Sequence, residues 1–233
     1  MTTLTFCQIA SFLVAPKLTK LIGEACFIGC KSLKNIDFPT TLATIERYAF
    51  SACALYEVTL PNIETIAKNC FTECNCLTKV VIPNSVKEIE EEAFCSCENL
   101  KLIELPNSIE KIGKNSFYGR SKLSKVVISN KVKIINKQSF SACKELVEIV
   151  IPEGVEIIKE FSFVGDVKLK IITLPKILKE IGEAAFADCL SLQEINGLEN
   201  VKTFEVGCFY QTKVTSNKIP QTAFKKSDRY KNN

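Results

Sequence analysis

Phenylalanine returns through this chain at a fixed interval. Phe94, Phe117, Phe140, Phe163, Phe186 and Phe209 stand 23 residues apart, and Phe27, Phe50 and Phe71 extend the series with one two-residue contraction. A constant period of this kind means that each unit buries its apolar face against its neighbours, so the product is a stack of coils around one elongated core. Three further columns keep the same frame. Isoleucine stands five residues before the aromatic at Ile22, Ile45, Ile66, Ile89, Ile112, Ile135, Ile158 and Ile181. Proline stands twelve residues after it at Pro39, Pro83, Pro106, Pro152 and Pro175, with Pro61 and Pro220 one place early. Cysteine stands three residues after it at Cys30, Cys53, Cys74, Cys97, Cys143 and Cys189.

One coil illustrates the expected path: Phe94, Cys97, Leu100, Ile103, Leu105, Pro106. Ile103 and Leu105 alternate as in a half-buried strand, and proline ends it because it cannot donate to the ladder. Beyond proline, Ile109, Ile112, Gly113 and Phe117 predict a second short extended piece and a tight turn, with a turn or short helical hook around the aromatic. Stacked strands pair in parallel about 4.8 Å apart, so about ten coils predict a body of about 45 to 50 Å. Counting back from Pro16, Leu4, Cys7, Ala10 and Leu13 fall into the columns, which makes residues 1–26 a first coil and N-terminal cap. Residues 27–208 carry the regular repeats and 209–233 a C-terminal cap with a basic tail, all in a single domain. The local departures are Ser129 for proline, and Arg120, Asp166 and Thr212 for cysteine. From Gly197 the pattern weakens, with Leu198 in the proline place and Phe204 in the isoleucine place.

The stretch from Leu77 to Ile89, followed by Ala93-Phe94, closely resembles the BspA-like leucine-rich repeats, the treponemal class with a 23-residue repeat. The resemblance spans residues 4–224 and implies a curved leucine-rich repeat solenoid with a parallel β-sheet on the concave face. It also implies a binding protein, several members being surface adhesins, without naming a ligand.

Seven of the twelve cysteines, counting Cys7, share one column and are expected to be small buried free thiols. Stacking at about 4.8 Å argues against disulfides, which want Cβ atoms at about 3.5 to 4.5 Å. Cys26, Cys70, Cys76, Cys95 and Cys208 lie outside the column. Cys74-x-Cys76 and Cys95-x-Cys97 fall on adjacent coils, but the two-residue gap of a zinc site is missing and the repeat already explains Cys74 and Cys97. No metal or cofactor is expected. The thiols and an N-terminus unlike an export signal point to a reducing, cytoplasmic setting. The family resemblance points instead to the cell surface.

The chain has no histidine, which removes Ser-His and Cys-His nucleophilic pairs and the usual general base near neutral pH. No glycine-rich phosphate loop appears, and Glu90, Glu91 and Glu92 read as a solvated corner, so no enzyme is expected. The net charge of +4 is spread along the chain, the only basic cluster being Lys225, Lys226, Arg229 and Lys231. Nucleic acid is therefore not an expected partner. No apolar run approaches the length of a membrane span.

What remains is the set of side chains that the concave strands turn outward. Val81, Leu102, Val127, Val147, Val150 and Ile171 gather near the centre with Glu104 and Thr173 beside them, and Lys79, Lys125 and Glu148 complete a charged rim. Such a patch is expected to bind a protein, although β-branched residues also favour strands for their own sake. A surface adhesin and an intracellular scaffold or regulatory adaptor both fit this reading.

Overall fold

The computed structural model describes residues 12–14, 20–119 and 122–229, and these form a parallel β-solenoid. Each repeat contributes a three-residue strand: β1 (Phe12–Val14), β3 (Asn35–Asp37), β5 (Glu57–Thr59), β7 (Lys79–Val81), β9 (Leu102–Glu104), β11 (Lys125–Val127), β13 (Glu148–Val150), β15 (Ile171–Thr173) and β17 (Glu194–Asn196). Between them lie two-residue strands: β2 (Leu21–Ile22), β4 (Thr44–Ile45), β6 (Thr65–Ile66), β8 (Glu88–Ile89), β10 (Lys111–Ile112), β12 (Ile134–Ile135), β14 (Ile157–Ile158), β16 (Glu180–Ile181) and β18 (Thr203–Phe204). From β1 to β17 the chain makes about eight turns, fewer than the ten coils expected, because a cap takes the place of the last and most of the expected first coil lies outside the described residues. Pairing is in register, column against column, as in Leu102 with Lys125 and Glu104 with Val127.

The aromatic column is the axis of the core. Phe50, Phe71, Phe94, Phe117, Phe140, Phe163, Phe186 and Phe209 are fully buried. From Phe27 to Phe209 successive rings lie 5.1–5.8 Å apart and within 5–11° of parallel. Parallel rings at such separations are offset-stacked, an arrangement that adds about 0.5 to 1.5 kcal/mol per pair beyond burial. The rings are spaced more widely than the roughly 4.8 Å between paired strands. The three-residue strands form the concave face.

The hooks around the aromatic are not helical. The residues two before and two after phenylalanine take positive φ, as in Tyr48 at 59° and Ala52 at 57°, Glu92 at 59° and Ser96 at 55°, or Ala184 at 50° and Asp188 at 55°. Two left-handed residues per hook break any helix. They turn alternate amides in opposite directions: Phe50 N–H donates to Cys70 O at 2.9 Å on the next coil, whereas Ser51 N–H donates to Tyr48 O at 3.1 Å within its own. The inter-coil bonds stabilise the strained backbone, and none of the positions with positive φ carries a β-branched residue.

The cysteine column acts through its S–H groups. The thiol donates to the phenylalanine carbonyl of the preceding coil from Cys53 to Phe27 at 2.9 Å, Cys74 to Phe50 at 3.1 Å, Cys97 to Phe71 at 3.0 Å and Cys189 to Phe163 at 3.1 Å. Burial pushes the Cys53 thiol up to about 12 and that of Cys74 well above the usual range, so the donor hydrogen stays in place. The expectation of free thiols throughout the column is corrected at one position. Cys30 is disulfide-bonded, with its partner outside the described residues. The spacing argument assumed a coil held on both sides by regular neighbours, a condition that Cys30, at the N-terminal end of the described stack, need not meet. Cys7 and Arg120 lie outside the described residues.

Asp166 takes the cysteine place with no exposure to solvent. Its Oδ1 accepts Cys143 N–H at 2.8 Å and its Oδ2 has no hydrogen-bond partner. Burial drives its carboxyl well above the usual range, against the smaller opposing effect of the Cys143 amide.

Residues 221–224 imitate one more coil. Gly207 N–H donates to Thr222 O at 3.1 Å and Phe209 N–H to Ala223 O at 2.8 Å, which satisfies amides that other hooks direct at a following repeat. Ala223 is buried, and the Phe224 ring lies 6.3 Å from that of Phe209, so Ala223-Phe224 stands where Ala185-Phe186 stands in the body. Arg229 pairs with Glu183 at 3.2 Å and folds the basic tail onto the last coils. The weakened pattern after Gly197 becomes a short 3-10 helix at Leu198–Asn200, where Gly197 adopts φ 93° and a Cβ would lie 2.4 Å from Leu174 O.

Two stability measurements check this packing. Phe140→Ala is expected to cost about 3 to 5 kcal/mol in urea unfolding, because it opens a cavity in the middle of the stack; stability equal to the parent's contradicts the packing. Asp166 has its folded pKa raised above the unfolded value. Its contribution to stability is thus complete below about pH 4, where the unfolded carboxyl is also protonated, and is lost as pH rises toward the folded pKa. Asp166→Asn keeps the acceptor and cannot ionise, so denaturation midpoints should decline less between pH 4 and pH 7 in the variant than in the parent.

Candidate functional site

Alternation along the three-residue strands from β3 to β13 buries the middle residue and turns the outer two to solvent. On β9 the pattern is Leu102 out, Ile103 in, Glu104 out, and β7, β11 and β13 repeat it. The sequence-selected residues lie on this one face. Exposure is 43% for Val81, 43% for Leu102, 51% for Val127, 42% for Val147 and 66% for Val150, values far from those of core aliphatics. Glu104 is exposed, and Ile171 and Thr173, toward the C-terminal end, are half-buried. Five aliphatic side chains thus share a face across the four adjoining strands β7 to β13.

The sheet beneath them is not continuous. β1 pairs with β3, β5 with β7, β9 with β11, β13 with β15, and β15 with β17, while the steps from β3 to β5, β7 to β9 and β11 to β13 are unpaired. Tyr56, Thr78, Ser124 and Lys170 each donate an amide to the strand before, as Ser124 N–H does to Lys101 O at 3.0 Å. The corresponding amides of Lys101 and Val147 make no such bond among the described residues. A cleft opens at each unpaired step. The first, of about 430 Å³, is lined by polar Asn35, Asp37, Glu57 and Thr59. The second, about 370 Å³, is lined by Lys79, Val81, Lys101, Leu102 and Glu104. The third, about 550 Å³, is lined by Lys125, Val127, Val147, Glu148 and Val150. Lys101 was absent from the sequence-based set, although its frame position immediately before a strand marks it as outward-facing.

A larger cleft, of about 1030 Å³, lies elsewhere, between the unpaired strands β4 and β6 where the repeat is two residues short. Its carboxylates are engaged within the fold: Glu24 pairs with Arg47 at 2.8 Å, Glu46 accepts Glu24 N–H at 2.7 Å, and Glu90 accepts Lys68 N–H at 2.7 Å. The acidic run at 90–92, expected as a solvated corner, is half-buried and ties coils together. Glu91 pairs with Lys68 at 2.9 Å, and Glu92 accepts from Asn69 at 2.7 Å and Asn115 at 3.2 Å. Among the described residues no three histidine, cysteine or acidic side chains come together to hold a metal ion, and no helix is long and apolar enough to cross a membrane.

A parallel coil-by-coil sheet with aliphatic columns inside and variable residues outside defines the leucine-rich repeat class. Within it, the BspA type leucine rich repeat region matches residues 3–124 and 110–231, in six copies, and the chain belongs to that family. The crystal structure of the pneumococcal vaccine antigen PcpA superposes with a TM-score of 0.64 at 26% identity, over 88% of this chain and 55% of that one. The chain therefore spans little more than half of that antigen's length. A leucine-rich repeat protein of T. pallidum shares the fold with a TM-score of 0.51 at 22% identity, covering 92% of this chain and 79% of that one. No curated protein matches the chain.

Hydrogen exchange checks the interrupted sheet. The amides of Lys101 and Val147 should exchange faster than those of Ser124 and Lys170; equal protection at all four means that the clefts are closed in solution.

Proposed function

We propose that this protein is a non-catalytic recognition module that holds a protein partner on its concave face, through Val81, Leu102, Glu104, Val127, Val147 and Val150, with Ile171 and Thr173 at the margin. The observation that carries this reading is the row of exposed aliphatics on four adjoining strands, set over clefts and bordered by charge. Burying them in a complex removes apolar surface from water at little conformational cost, because the strands are already fixed by the core. The absence of histidine and the engagement of the acidic clusters within the fold favour binding over catalysis.

An adhesive role at a cell surface is the version that the likeness to a vaccine antigen favours. The disulfide at Cys30 favours the same version, whereas the buried free thiols favour the second, an adaptor in a reducing compartment. Localisation of the tagged protein separates the two, since a solely cytosolic signal defeats the adhesin.

Val127→Asp combined with Val150→Asp tests the face itself. Both residues lie outside the core, so circular dichroism and the melting temperature should match the parent's while proteins captured by the intact solenoid are lost. An unchanged set of captured proteins shows that the face is idle.

A further inference from the structure

Charge is distributed unequally over the molecule. The ion pairs among the described residues, such as Lys87 with Glu64, Lys111 with Glu88, Lys168 with Glu145 and Lys179 with Glu156, link one coil to the next away from the concave strands. None involves a residue of the concave face. There Lys79 at the start of β7, Lys101 just before β9 and Lys125 at the start of β11 form a basic edge beside Val81, Leu102, Val127 and Val150, and no described carboxylate closes on them. Glu57 stands opposite Lys79 in register without forming an ion pair. Glu148 continues that edge at the start of β13, and Glu104 stands within the apolar strip between Val81 and Val127.

From this arrangement, and resting on the reading of the concave face as a protein-binding surface, we infer that the partner presents an amphipathic α-helix with an acidic edge, laid along the solenoid axis across β7 to β13. The clefts that contain the aliphatics open two coils apart, at the β7/β9 and β11/β13 steps, or about 9.6 Å at normal strand spacing. Residues i and i+7 of a helix lie about 10.5 Å apart on one face, so one apolar side chain enters each cleft while i+3 or i+4 rests on the paired β9–β11 step between them. An extended strand repeats its side-chain direction about every 6.6 Å and falls out of step with the clefts. Carboxylates along one flank of the helix meet the three lysines, and Glu104 and Glu148 disfavour an acidic segment that slides out of register.

The test uses the intact chain and a fluorescent peptide of about 18 residues on an alanine-rich background, with leucines at helical spacing and glutamates along one flank. A second peptide has lysine for each glutamate, and a third has prolines that prevent a helix. The acidic helix should bind, weaken with salt, and lose roughly ten- to a hundred-fold affinity for the variant carrying Lys79→Glu, Lys101→Glu and Lys125→Glu, which should gain the basic peptide. Lys101→Glu alone should move affinity in the same direction if the triple variant folds poorly. The proposal is overturned if the acidic helix does not bind, if the proline peptide binds equally, or if the lysine variants leave affinity unchanged. It is also overturned if light scattering shows a dimer that Val127→Asp with Val150→Asp dissolves, for then a second copy is the occupant. The broader reading of the face fails separately, when that aspartate pair leaves the capture of natural partners intact.

Discussion

Everything in this molecule depends on one ring per coil meeting the ring of the next. The phenylalanine column runs the length of the described stack and is fully buried from Phe50 to Phe209. Its 5.1–5.8 Å spacing governs how closely the hooks approach. The strands of successive coils follow the same order and pair in parallel, column against column, as β9 does with β11.

The hooks show how a strained backbone is held by its neighbours. Left-handed residues twice per repeat are unfavourable in isolation. Here they direct amides across to the next coil, where carbonyls are waiting, and the cysteine thiols reach back to the phenylalanine carbonyls of the coil before. Local conformation and stacking are consequently inseparable, which is the general condition of repeat proteins whose stability resides in interfaces between units.

This explains what the sequence made legible. Phe94, Ile89, Leu100 and Pro106 announce their places because a period repeats them, and the fold follows from period alone. The outward set from Val81 to Val150 was legible for the same reason, by subtraction of the inward columns. The non-helical hooks were not, because the conformation of Glu92 or Ala184 is imposed by bonds to another coil and leaves no mark on local composition. The half-buried state of Glu92 escaped notice likewise, since its partners Asn69 and Asn115 sit one coil away on either side. The interruptions at β3/β5, β7/β9 and β11/β13 fall between strands that share one burial pattern, so the pattern does not mark them.

The cap carries a consequence of its own. Ala223-Phe224 covers the hook of Phe209 with the same pair that Ala49-Phe50, Ala93-Phe94 and Ala185-Phe186 offer to the windings before them, so the segment fits any winding that ends in the same hook. A gene encoding this design can lengthen or shorten its product by whole repeats while the same closing segment still seals it. Reach, and with it the breadth of surface presented to the outside, becomes a modular property, adjustable without inventing a new terminus.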